Sequence, residues 1–165
     1  MTVVAAAALI AYVATRPSTS NIAGVRSYPS LARNHVTGTV HYPQNPPAGG
    51  NHAAVPLTCG VYDRPVPNEN AVHSLEHGAV WITYRPGLPA SQLAALRGLL
   101  KGSDHRLLSP YTGLPAPIVA TAWGKQIFVN TANDPRLSTF VTVYTEGSTD
   151  PEPGAACRGV GAPSG

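Results

Sequence analysis

Charge is scarce in this 165-residue sequence: Asp, Glu, Lys and Arg together make up 12%, too little for a long coiled coil or a helical bundle. The eleven Lys and Arg residues are spread singly between Arg16 and Arg158. No basic stripe forms along which a phosphate backbone could run, so nucleic acid is not an expected partner. Met1 is the single methionine, which argues against a thioether-rich copper carrier. The chain shows no internal repeat, and its length gives room for one core of ordinary domain size, not two. What is plentiful is glycine and proline, 16 and 17 residues, a composition that predicts a loop-rich globule with few helices.

Apolar residues run without interruption only at the N-terminus. Residues 2–15 are uncharged and nearly all apolar, and Arg16-Pro17 ends the run. As a helix they would span about 21 Å, short of the roughly 30 Å of a bilayer core. The segment fits a membrane anchor or signal core that lacks its usual basic start. Tyr12 and Val13 spoil the obvious small-x-small cleavage positions, so an uncleaved anchor over 1–16 is the expectation, with the rest of the chain outside the cytoplasm. Residues 17–33 read as a linker, 34–158 as the single domain, and 159–165 as a loose tail. In such a compartment an even pair of cysteines predicts a disulfide. Joining Cys59 to Cys157 would tie the early domain to a tail with few apolar residues of its own, a closure worth about 4 to 5 kcal/mol in the chain-entropy treatment. The rival reading makes Cys59 a thiolate ligand or reactive thiol.

Patterning predicts a short strand over 36–42, a loop over 43–50 whose three prolines exclude helix and inner strand, and a helix over 68–77 with Asn68 as its cap and Gly78 as its stop. A strand follows over 79–85, then a helix over 89–101 with Leu93, Leu96, Leu99 and Leu100 at helical spacing. A short strand over 106–109, a hairpin turning near Gly124, and a last helix opened by Asp134-Pro135 complete the order. The expected fold class is α+β: a small, mostly antiparallel sheet with two main helices packed on one face and Pro/Gly-rich N-terminal loops. Tyr62 and Trp81 are expected in the core.

Chemistry concentrates in His73-Ser74-Leu75-Glu76-His77. Helical positions i and i+4 share a face, so His73 and His77 can present two imidazoles to one ion, with Glu76 beside them. His-x-x-Glu-His is also the inverted zinc-peptidase spacing, where the carboxylate activates water. Such enzymes set the motif in a long helix, whereas Gly78 and a strand follow here at once. A third ligand is needed. His52, in Gly49-Gly-Asn-His52, is the first choice because glycine lets the backbone come close, and His35 is the next. Imidazole donors suit copper or zinc. His41 and His105, flanked by polar residues, are expected at the surface and are not assigned to the site.

The stretches Pro46-Pro-Ala-Gly-Gly-Asn-His52, Cys59-Gly-Val-Tyr62 and Ala71-Val-His-Ser-Leu-Glu-His-Gly78 resemble the bacterial family known as domain of unknown function 3105. The resemblance continues through Ser109-Pro-Tyr, Ala120-Thr-Ala-Trp-Gly124 and Pro151-Glu-Pro-Gly154 to Cys157. It implies a membrane-anchored or secreted protein of the kind common in actinobacteria, and no established activity. Its pattern includes His35, His52, Cys59, His73, Glu76, His77 and Cys157, and not His41.

Three functions follow as expectations. The leading one is an extracytoplasmic domain holding copper or zinc through His52, His73 and His77, with His35 or Glu76 completing the set. The second is a disulfide-stapled interaction module of the cell envelope without metal, in which the histidines are scattered and each satisfied by backbone. The third is a zinc hydrolase with Glu76 as general base. No protein partner is named by the sequence.

Overall fold

β-Branched and aromatic residues side by side make residues Val80–Tyr84 a strand buried on both faces. This strand, β3, lies at the centre of a six-stranded mixed sheet. The computed structural model describes residues 22–148 and 150–164. Its strands are β1 (Arg26–Ser27), β2 (Gly60–Val61), β3, β4 (Arg106–Pro110), β5 (Ile118–Ala122) and β6 (Lys125–Val129), in the spatial order β1-β6-β5-β3-β4-β2. Three helices accompany them: α1 (Asn68–Glu76), α2 (Ala90–Gly98) and α3 (Pro135–Tyr144).

The fold is α+β, but the sheet is mixed instead of mostly antiparallel. β3 pairs β5 antiparallel, with Trp81 opposite Thr121, and β5, β6 and β1 continue antiparallel. β4, however, runs parallel to β3, with Trp81 beside Leu107, and β2 runs parallel to β4. A parallel pair requires a long crossover, which α2 supplies between β3 and β4. Strand, helix, strand is itself a signal for that unit; the alternation within each strand says nothing about direction.

Successive side chains of β3 point to opposite faces. Val80, Ile82 and Tyr84 join Leu96 of α2 and Leu137 and Phe140 of α3 in the larger core. Trp81 faces the other way, into a second core with Ala71, Val72 and Leu75 of α1, and with Tyr62 and Trp123. Helices therefore cover both faces, two on one side and α1 on the other. Trp81 Nε1 donates to Ser109 Oγ at 2.9 Å, so the indole is buried with its polar atom satisfied.

Local expectations differ from the structure in several places. Asp134 does cap α3, accepting from Arg136 N at 3.0 Å with Pro135 behind it. α1 is preceded by Pro67 in extended conformation, with no side-chain cap, so Asn68 is already helical. α2 ends at Gly98, and the next residues tighten into i→i−3 turns, Leu99 N to Leu96 O and Lys101 N to Gly98 O. Residues 36–42 form no strand. There Val40 N donates to the side chain of Glu69, at Oε1 and 2.9 Å, and the ladder is limited to a single parallel bridge of His35 to His52.

The chain ends are also more ordered than composition suggests. The expected linker contains β1, paired to β6, and Ile22 and Val25 pack against the larger core. The expected loose tail runs along residues 56–61: Thr58 N donates to Val160 O, Val160 N to Pro56 O, and Ser164 N to Val61 O. Backbone pairing of this sort leaves no hydropathy signature. The expected anchor over 1–16 lies outside the described residues. Among the described residues no helix is long and apolar enough to cross a membrane.

Cys59 and Cys157 form a disulfide across 98 positions, with Cα atoms 5.4 Å apart, which sets aside the reading of Cys59 as a thiolate ligand. Replacing both with alanine is expected to lower the unfolding free energy by about 2 to 5 kcal/mol, read from urea denaturation in oxidising buffer. An unchanged midpoint would show that hydrogen bonds alone hold the tail.

Candidate metal centre

The site is assembled from two backbone segments and one helix. His35 and His52 sit side by side in a short parallel bridge, Val36 N donating to His52 O at 2.8 Å and His52 N to Asn34 O at 3.1 Å. The loop before His52 is pressed onto the sheet. Gln126 Nε2 donates to Pro46 O, and Gly49 has φ +134, with no room for a Cβ between Leu31 and the Trp123 ring. Only glycine fits that approach.

α1 supplies the other donors. Its apolar residues Ala71, Val72 and Leu75 face the second core, which leaves His73, Glu76 and His77 together on its last turn. Residues 53–57 are laced to this helix. Ser74 Oγ donates to Leu57 O at 2.7 Å, Asn70 Nδ2 to Val55 O at 2.7 Å, and Leu57 N to Asn70 O at 3.0 Å. The helix terminus carries partial negative charge and so favours a cation nearby.

Four side chains converge. His35, His52, His73 and Glu76 each offer a donor atom, all within 4.8 Å of one another. A tetrahedral ion with bonds of about 2.0 to 2.1 Å holds its donors about 3.4 Å apart, so the set closes onto an ion by a modest inward shift. The side chain of His35, 51% exposed, has the room to make it. His52 is fully buried and Glu76 nearly so. His52 Nδ1 donates to Gly50 O at 2.7 Å and His73 Nδ1 to Ala53 O at 2.6 Å. A carbonyl can only accept, so the proton of each neutral ring is at Nδ1 and the lone pair at Nε2.

His52 Nε2 lies 2.9 Å from Glu76 Oε2 yet lacks the alignment of a hydrogen bond, and it is a buried nitrogen with no hydrogen-bond partner. Such an orphan costs on the order of 1 to 3 kcal/mol, and a bound cation would satisfy it. The donor chemistry and this orphaned nitrogen fit a borderline transition metal.

His77 stands beside this group, not in it. Its Nε2 faces His73 Nε2 at 3.0 Å, its Nδ1 donates to Ala156 O at 2.9 Å, and Glu152 Oε2 is 3.7 Å from its Nε2. Glu152 was not singled out by local patterning. It arrives with the tail, whose backbone meets the carbonyls at the end of α1: Glu152 N donates to Glu76 O and Gly154 N to His77 O. His41 is exposed and outside the group. His105, expected at the surface, is buried, its rings' nitrogens 2.8 Å from Asp104 Oδ1 and 2.9 Å from Ala155 O. Burial works against its charged form, but those two bonds together with the negative charges of Glu146 and Asp104 offset that and raise its pKa.

Residues 35–159 match the family described as "Protein of unknown function (DUF3105)". The chain belongs to this family. The four converging residues of this DUF3105 protein, and His77 beside them, fall within the matched span, as do both cysteines. No curated protein and no solved structure matches the chain.

Burial, followed by the neighbouring imidazoles, lowers the His73 pKa to about 4, against the opposing hydrogen bond to Ala53. In the metal-free protein its ring is therefore expected to stay neutral until the pH falls to about 4, which carbon–proton correlation NMR of the imidazoles can follow. The sign for stability is set by the unfolded value of 6.5: the share owed to neutral His73 is present above it and is lost as pH falls toward about 4. A His73 midpoint in the ordinary histidine range would contradict this packing.

Proposed function

We propose that this protein is a membrane-tethered, extracytoplasmic domain that binds copper or zinc through His35, His52, His73 and Glu76. The observation that carries the reading is the buried Nε2 of His52, held without a hydrogen-bond partner among three other donors within 4.8 Å. Buried polar atoms are normally satisfied, and imidazole with carboxylate suits copper or zinc better than magnesium or calcium. The disulfide supports an oxidising compartment, and the apolar run over 2–15 supports the tether.

The exposed end of the group meets an open hollow of about 400 Å³ lined by His35, Val36, Thr37 and Ala54. An ion there would be reachable through this hollow, which suits binding and exchange. An interaction module without metal expects dispersed histidines, and the clustering weighs against it. Glu76 stands in a ligand's place, 2.9 Å from His52 Nε2, without the gap that a water-activating base requires.

The test is elemental analysis of the full chain, purified from an oxidising compartment without a histidine tag. Near-stoichiometric copper or zinc is expected, lost in His52→Ala/His73→Ala and retained in His41→Ala. Bound metal should also raise the unfolding temperature of the wild type. A folded wild type that takes up neither metal when supplied would overturn the proposal.

A further inference from the structure

We propose that His77 and Glu152 form an outer cation position through which the inner centre is loaded, with His73 shared between the two. The inference rests on the metal-binding reading above and adds a route to it.

The decisive contact is the 3.0 Å approach of His73 Nε2 to His77 Nε2. Each ring gives its Nδ1 proton to a backbone carbonyl, His73 to Ala53 and His77 to Ala156. With both rings neutral, two lone pairs face one another, an arrangement that is favourable only when a proton or a cation sits between them. Neither ring can turn away without breaking its bond to the backbone. A cation at this point would meet a third donor in Glu152, whose Oε2 is 3.7 Å from His77 Nε2.

Exposure falls steadily along this line. The side chain of Glu152 is 62% exposed and that of His77 12%; His73 is 5% exposed and His52 0%. Glu152 is kept there by its own N–H on Glu76 O, and the tail that follows is fixed by the disulfide at Cys157. Nε2 of His73 has one lone pair and serves one ion at a time. The outer and inner positions are therefore alternatives, and the pair is a relay, not a dinuclear centre. An ion entering at Glu152 keeps His73 as a ligand while it exchanges His77 and Glu152 for His35, His52 and Glu76.

The hollow beside His35 is the competing entrance. Its lining residues Val36, Thr37 and Ala54 carry no charge, whereas the approach beside His77 presents the Glu152 carboxylate. A negative group at the mouth of a site raises the arrival rate of cations, which favours entry beside Glu152.

Cobalt(II) added to the metal-free full chain in a stopped-flow instrument tests this, because its visible absorption reports the ligands around it. Glu152→Gln and His77→Ala are expected to slow the approach to the final spectrum by about tenfold while the final spectrum and stoichiometry stay those of the wild type. His41→Ala should load at the wild-type rate. Wild-type kinetics in both variants would overturn the relay, as would a changed final spectrum in His77→Ala, which would make His77 a ligand of the centre itself. A wild type that never develops a cobalt spectrum would instead remove the metal-binding reading on which the relay stands.

Discussion

The hydrogen bonds from imidazole Nδ1 to backbone carbonyl, made by His52, His73 and His77 to Gly50, Ala53 and Ala156, organise this protein's functional end. Each puts one ring proton on a rigid acceptor and aims the remaining lone pair at Nε2. Outer partners of this kind set both the orientation and the basicity of metal-binding histidines. Because the acceptors are main-chain atoms from two separate segments, the loop over 50–53 and the chain end at Ala156, the geometry of the site depends on how those segments are docked, not on side-chain flexibility.

The docking has an identifiable cause in the sheet. Burial of Trp81 against Val72 and Leu75 holds α1 on the face opposite α2 and α3. That fixes the last turn of α1, where His73, Glu76 and His77 stand. Residues 53–57 are then held to α1 by hydrogen bonds on both their N–H and C=O sides, and the chain end is held by the disulfide and by pairing along residues 56–61. Buried backbone groups must find partners, and here those obligations fall to loops that carry little regular structure. A Pro/Gly-rich sequence can thus build a closely specified site.

Much of the site was legible one segment at a time. The i, i+4 spacing of His73 and His77 placed both on one helical face, and Gly49-Gly50 marked a close backbone approach before His52. The geometry changes the weighting: His35 and Glu76 join the convergent group, while His77 turns to His73 and Glu152. Helical spacing determines which side chains share a face, but not which of them a neighbouring segment will meet. Glu152 had no local signature at all, and its place follows from two backbone hydrogen bonds to the end of α1.

By itself, the sequence determined the α+β class, the position and type of each main helix and of strands β3 to β6, the cysteine pair, and the concentration of imidazoles around residues 73–77. Those features are encoded in periodicity, turn residues and composition, which act over a few positions. Only the tertiary structure decided that β4 and β2 run parallel to β3, that α1 covers its own face of the sheet, and that residues 22–31 and 159–164 are folded against the domain. It also decided which histidines meet. These are long-range outcomes, set by the pairing of backbone groups and the closure of two cores, and no local pattern of side chains contains them.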